Sequence, residues 1–180
     1  KHILPEHNFY DLLEIKMRIE LGNLVENGIL ASDFDLETNA KGIAKYCYEY
    51  AKKSVNDARP VLEAISAKLP MVLVSNFYGN VETVLADFDV KRYFKAVVES
   101  AVVGVRKPDP KIFMLGVEAL GLKPEEVLVV GDSYKKDIVP AETIGCKVAW
   151  LKGKGWTKEE DEQTHGSIIK NLSEILKALF

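Results

Sequence analysis

The sequence predicts an α/β protein, a doubly wound parallel sheet preceded by a helical unit. Three observations carry that expectation. From Pro60 onward, short valine-rich runs alternate with amphipathic stretches of helical period. The runs are apolar along their whole length, as strands are when both faces of a parallel sheet are covered. Before Pro60 the pattern is helical and does not join the alternation.

Taken in order, "NFYDLLEIKMRIELGNLVENG" repeats apolar residues three to four apart, which predicts a helix stopped at Gly28. "ASDFDLETN" is a polar connection in which Asp35 or Thr38 caps the next helix. That helix, "NAKGIAKYCYEYAKKSV", places Ile43, Tyr46, Cys47 and Tyr50 on one stripe. "RPVLEAISAKLP" reads as a separate short helix, and "MVLVSN" as the first buried strand. "GNVETVLADFDV" is helix and "FKAVVES" strand; "DPKIFMLGVEALGL" is helix ending at Gly121, and "EEVLVVGD" strand. "DIVPAETIGC" is helix, "KVAWL" strand, "SIIK" a last strand, and "NLSEILKALF" a last helix capped by Asn171 or Ser173.

Composition narrows the function. The 180 residues suit one domain with an appendage, and 47% hydrophobic content supports a sizeable core. A net charge of -3 gives no basic footprint for nucleic acid or an anionic membrane surface. No apolar run approaches the length of a membrane span. The two cysteines, Cys47 and Cys146, read as reduced thiols of a cytoplasmic protein. His2, His7 and His165 have no ligand spacing.

Ligands of open α/β sheets bind at the carboxyl ends of the strands. That rule selects Ser75, Asn76, Ser100, Asp132, Ser133 and Lys152. Ser75 offers a hydroxyl and the following helix start offers amides to an anion. Lys107, held before Pro108 and Pro110, offers a point positive charge on a stiff segment. Asp132 offers a hard oxygen suited to Mg²⁺. Each residue alone also has an ordinary reading as a turn, a cap or a surface charge.

"MVLVSN", "VRKPDPKIF" and "VLVVGDSYKKD", in that order, resemble the second, third and fourth motifs of the haloacid dehalogenase-like (HAD) hydrolase superfamily. The resemblance covers residues 60 to about 175. It implies a Rossmann-like HAD-type core with a helical cap. It also implies a Mg²⁺-dependent phosphatase of a small phosphorylated metabolite, acting through an aspartyl-phosphate intermediate. On that resemblance Asp132 binds the metal, Ser75 and Lys107 hold the phosphoryl group, and Asp137 supports the site or the lysine. Asn76 shapes the turn and faces the substrate.

The superfamily's first motif is a strand ending in Asp-x-Asp-x-Thr, whose first aspartate attacks phosphorus. Ahead of the other motifs stands only Asp33-Phe34-Asp35, with Glu37 in the threonine position and Thr38 one place late. The preceding "ILAS" is a poor buried strand. Residues 1–58 are therefore expected to be the cap, and residues 59–180 a core lacking its first strand. On this expectation the nucleophile lies before Lys1, and the chain by itself is inactive. Strands beside the gap would expose unpaired edges, which a homodimer or a swapped segment would cover.

Two other readings share the fold: a metal-independent dehalogenase and a catalytically silent binding domain. The Gly-Asp-Ser start of the fourth motif favours the metal-dependent branch. A receiver-type signalling domain has no place for the helical unit. Tyr10, Arg18, Tyr46 and Tyr50 are the cap residues considered for substrate selection, and Trp156 in "KGKGWT" reads as an exposed loop aromatic.

Overall fold

The computed structural model describes residues 2–155 and 157–179, so Trp156 lies outside the described residues. The chain divides into two compact units, Lys1–Arg59 with Tyr78–Arg92, and Pro60–Phe77 with Tyr93–Phe180. No described helix is long and apolar enough to cross a membrane.

The first unit is helical. Helix α1, Phe9–Glu26, begins with a capping box. Asn8 Oδ1 accepts from the Asp11 amide at 2.9 Å, and Asp11 Oδ2 accepts from the Asn8 amide at 3.1 Å. The chain turns out of α1 through Gly28, whose φ of 69° is open to glycine without strain. Helix α2, Leu36–Ser66, opens on Asp35, whose Oδ1 accepts from the Thr38 amide at 3.1 Å. It does not end at Pro60. One helix of 31 residues replaces the two predicted from sequence. An interior proline removes a helical hydrogen bond at a cost of about 3 kcal/mol. Ala40 and Ala44 before it and Val61 and Ile65 after it are buried, the latter two in a hydrophobic cluster with Ile175.

The predicted stripe on α2 also faces the other way. Tyr46 is 75% exposed and Tyr50 68%, whereas the buried row is made of small alanines. Close packing there selects side-chain size rather than hydrophobicity.

Helix α3, Val81–Asp87, belongs with this first unit, although its place in the sequence puts it beyond residue 58. Long-range contacts bind it there. Asn80 Nδ2 donates to the His7 carbonyl at 2.8 Å, and Thr83 Oγ1 to the Pro5 carbonyl at 2.6 Å. The Phe88 ring lies 5.4 Å from Phe9 and 5.5 Å from Tyr48. Arg59 donates to the carbonyls of Phe88 and Asp89.

The second unit holds the predicted strands, all parallel, but in two sheets. Strands β1 (Val72–Ser75) and β2 (Ala96–Glu99) form one. Strands β3 (Leu128–Gly131), β4 (Lys147–Leu151) and β5 (Ile168–Ile169) form the other in that order. A one-turn helix α4 (Ser100–Val103) follows β2, and α5 (Lys111–Leu120) leads toward β3. Helix α6 (Val139–Thr143) precedes β4, while α7 (Lys158–Glu162) and α8 (Glu174–Leu179) complete the unit.

Two cores show that the sheets form one layer. In the first, Ile112, Phe113 and Val117 of α5 meet Val72, Val74, Val98, Val129, Val148 and Trp150 from four strands. In the second, Val61 and Ile65 of α2 and Ile175 of α8 meet Met71, Leu128 and Ile169. The alternation of Leu128 and Val129 between them is the period of two that a strand covered on both faces requires. Helix α5 approaches β1 closely at Gly116, where a Cβ would stand 2.9 Å from Val74 Cγ2.

Candidate active site

The carboxyl ends of β1 and β3 carry the predicted polar residues, and hydrogen bonds join them. Asn76 follows β1 directly. Its Nδ2 donates to the Lys107 carbonyl at 2.9 Å, and its Oδ1 accepts from the Lys107 amide at 2.8 Å. One side-chain amide thus clamps the backbone of the lysine segment from both sides. Both polar atoms of the Asn76 side-chain amide are engaged in this clamp. The Lys107–Pro108 peptide bond is cis.

Lys107 reaches the other sheet's end. Its Nζ lies 2.7 Å from Asp137 Oδ1, with side chains 18% and 5% exposed respectively. The second oxygen, Asp137 Oδ2, accepts from the Ser133 amide at 3.0 Å. A buried carboxylate is therefore matched by one cation and one backbone donor, which its burial demands.

Local backbone brings Asp137 inward. Ser133 caps a single π-helical turn, Tyr134–Ile138, with Oγ accepting from the Lys136 amide at 3.3 Å. The Asp137 amide donates to the Ser133 carbonyl at 2.8 Å, and the Ile138 amide to the same oxygen at 3.3 Å. Such widened turns are rare and cluster at functional sites. The widened turn tucks Asp137 under Gly131. A Cβ on Gly131 would sit 2.3 Å from Asp137 Cβ, so no other residue fits without displacing it. The glycine that ends the apolar run is thus a requirement of the carboxylate six positions on.

Asp132 differs from Asp137 in every respect. Its side chain is exposed and makes no hydrogen bond or ion pair among the described residues. Its backbone is fixed by Trp150, whose Nε1 donates to the Asp132 carbonyl at 3.0 Å. Ser75, the last residue of β1, is half-buried beside Asn76. Ser100 is taken up locally, with its Oγ accepting from the Phe77 amide at 3.2 Å. Lys152 donates to the Asp161 carbonyl at 2.7 Å and to the Gln163 carbonyl.

Ser133 was selected from the sequence as a strand-end residue and a cap, but Gly131 and Trp150 were not singled out for these tasks. The glycine at a strand's last position was the one available signal. The Trp150 contact spans 18 residues and leaves none.

The remaining candidates lie in the first unit. Asp35 is a helix cap, and its hydrogen bonds from Thr38 hold its carboxyl below the usual value. Tyr10 packs edge-on to Tyr48 at 6.0 Å. Arg18 pairs with Glu14 at 2.8 Å and Glu37 at 2.5 Å, and lines an open pocket of about 300 Å³ with His7, Asp11, Glu14 and Ile15. Both cysteines are free thiols, and burial pushes the Cys146 thiol up.

The chain is 36% identical over 89 residues to a glyceraldehyde 3-phosphate phosphatase of Pyrococcus furiosus, covering 48% of this chain and 37% of that one. It is 30% identical over 117 residues to a phosphoserine phosphatase of Thermus thermophilus, covering 64% and 47%. The chain thus spans less than half the length of these relatives. Among solved structures, a HAD phosphatase from Thermococcus onnurineus shares the fold with a TM-score of 0.62 at 22% identity, covering 95% of this chain and 88% of that one. The family of haloacid dehalogenase-like hydrolases matches residues 8–145, and the chain belongs to it.

Proposed function

We propose that the whole protein is a cytoplasmic, Mg²⁺-dependent phosphatase of a small phosphorylated metabolite, working through an aspartyl-phosphate intermediate. One observation carries the reading: hydrogen bonds join Asn76, Lys107 and Asp137 at the carboxyl ends of β1 and β3, and the exposed Asp132 follows β3 directly. The phosphatases among the relatives support it.

In this reading Lys107 and the Ser75 hydroxyl hold phosphate oxygens, and Asp137 holds Lys107 in place. Asn76 positions the lysine through its backbone. Fixing a phosphoryl group and neutralising its charge is most of what such catalysis requires. Asp132 is suited to Mg²⁺, which keeps several waters and takes only one or two carboxylates. A lone, exposed carboxylate fits that demand, and no group of three or more His, Cys, Asp or Glu gathers among the described residues. Bound there, the ion would offset phosphate charge. We assign the attacking carboxylate to neither Asp33 nor Asp35, but to a residue that these 180 do not include.

The test is release of phosphate from an aryl phosphate by the whole protein. Turnover should require Mg²⁺ and disappear in Asp132→Ala with the circular dichroism spectrum unchanged. Undiminished turnover in either EDTA or Asp132→Ala sinks the reading.

A further inference from the structure

We infer that Trp150 is a positioning residue for Asp132: its indole N–H sets the direction in which that exposed carboxylate is presented to a divalent cation. The inference rests on the reading of Asp132 as the Mg²⁺ ligand. It adds to that reading a residue that touches neither metal nor phosphate.

The peptide between Asp132 and Ser133 is held at both ends. Trp150 Nε1 donates to the Asp132 carbonyl at 3.0 Å, and the Ser133 amide donates to Asp137 Oδ2 at 3.0 Å. A trans peptide points its C=O and N–H in opposite directions, so Trp150 and Asp137 grip this plane from opposite sides. The Asp132 side chain takes no partner among the described residues. Its carboxyl is one carbon removed from the backbone. A fixed peptide therefore leaves it only a few staggered rotamers.

The indole is itself locked in place. Trp150 is 4% exposed and stands opposite Gly131 in the parallel register of β3 and β4. Its backbone amide donates to the Ser167 carbonyl at 2.8 Å. The Tyr134 and Trp150 ring centres are 5.1 Å apart, and the His165 ring lies 6.1 Å from Tyr134 on its other contact. Both nitrogens of His165 are engaged. Nδ1 accepts from the Ser167 amide at 3.1 Å, and Nε2 lies 3.1 Å from Glu142 Oε1. The direction of the indole N–H is thus set by β4 and by a column of rings beside it.

A buried indole N–H needs an acceptor, and packing alone is served by any. Here the acceptor is the backbone of a strand-end carboxylate whose own oxygens are unpaired among the described residues. Groups one step removed from a metal ligand orient it and tune its affinity.

The experiment reads Mg²⁺ affinity of the whole protein without turnover, by NMR titration of the Asp132 and Ser133 amides. Trp150→Phe removes the N–H and shrinks the ring. Replacement of Trp150 by benzothienylalanine puts sulfur in place of the N–H and keeps the ring's bulk, which guards against a phenylalanine variant that does not fold. Val148→Ala, buried on the same strand, loses packing alone. The Mg²⁺ dissociation constant should rise about tenfold in both Trp150 replacements. It should keep the parent value in Val148→Ala, even where the thermal midpoint falls as far. The Mg²⁺ concentration for half-maximal aryl phosphate turnover should rise in parallel, with turnover at saturating Mg²⁺ changing less. Parent affinity in the folded benzothienylalanine protein, or an equal loss in Val148→Ala, would overturn the inference and leave the proposed function standing. A parent protein that binds no Mg²⁺ would overturn both.

Discussion

Lys107 Nζ lies 2.7 Å from Asp137 Oδ1, and the pair joins the end of one parallel sheet to the end of the other. Asp137 is 4% exposed, so removing Lys107 leaves a carboxylate with only the Ser133 amide to stabilise it. Breaking a buried pair from one side typically costs ~3–5 kcal/mol. Lys107→Met and Asp137→Ala should each destabilise on that scale in urea unfolding. The double variant should cost about 1 kcal/mol or more less than their sum, the coupling of residues in contact. Strict additivity would show that the pair contributes nothing.

Gly131 and Gly42 should respond oppositely to alanine. At Gly131 the new Cβ meets Asp137 Cβ at 2.3 Å, and overpacking of this kind costs about 1–3 kcal/mol or more. At Gly42, exposed within α2, nothing lies within 4 Å, and the substitution should stabilise by about 0.5–1 kcal/mol. Thermal unfolding of the two variants checks both signs. A Gly131→Ala protein as stable as the parent would contradict the close approach.

Asn76→Ala removes two hydrogen bonds to the Lys107 backbone. At roughly 1 kcal/mol each, the loss should be about 1–3 kcal/mol in stability. In the whole protein kcat should fall further than KM rises, because the lysine is misplaced rather than lost. Asn76→Asp keeps the acceptor and should recover part of the stability. No difference between the two variants would argue against the clamp.

Asp35 gives a pH dependence with a fixed sign. Hydrogen bonds from Thr38 hold its pKa in the folded chain below the ordinary 3.8. A depressed carboxylate contributes stability that is present above its unfolded pKa and is lost as pH falls through the folded one. Asp35→Asn keeps a capping side chain but cannot titrate. The stability difference between parent and variant should therefore be constant above about pH 5 and shrink below 3.8. A difference that grows on acidification would reverse the assignment.

Asp33→Asn should leave aryl phosphate turnover of the whole protein largely intact, since the proposed attack is made by another residue. A loss of several orders of magnitude with the fold preserved would make Asp33 the nucleophile and overturn the cap assignment.

The amino-acid sequence alone determined the α/β class, the parallel strands and the residues at their carboxyl ends. It could do so because those features are local. Period and composition reveal a strand covered on both faces, and the Ser75-Asn76 and Gly131-Asp132 pairs stand where such strands finish. Only the tertiary structure decided that α2 runs through Pro60, that Tyr46 and Tyr50 face solvent, and that Tyr78–Arg92 belongs with the first unit. It also decided that Asn76 clamps Lys107 and that Gly131 makes room for Asp137. Each of these depends on partners distant in sequence or on the space left between packed atoms. Neither leaves a periodic trace in the chain.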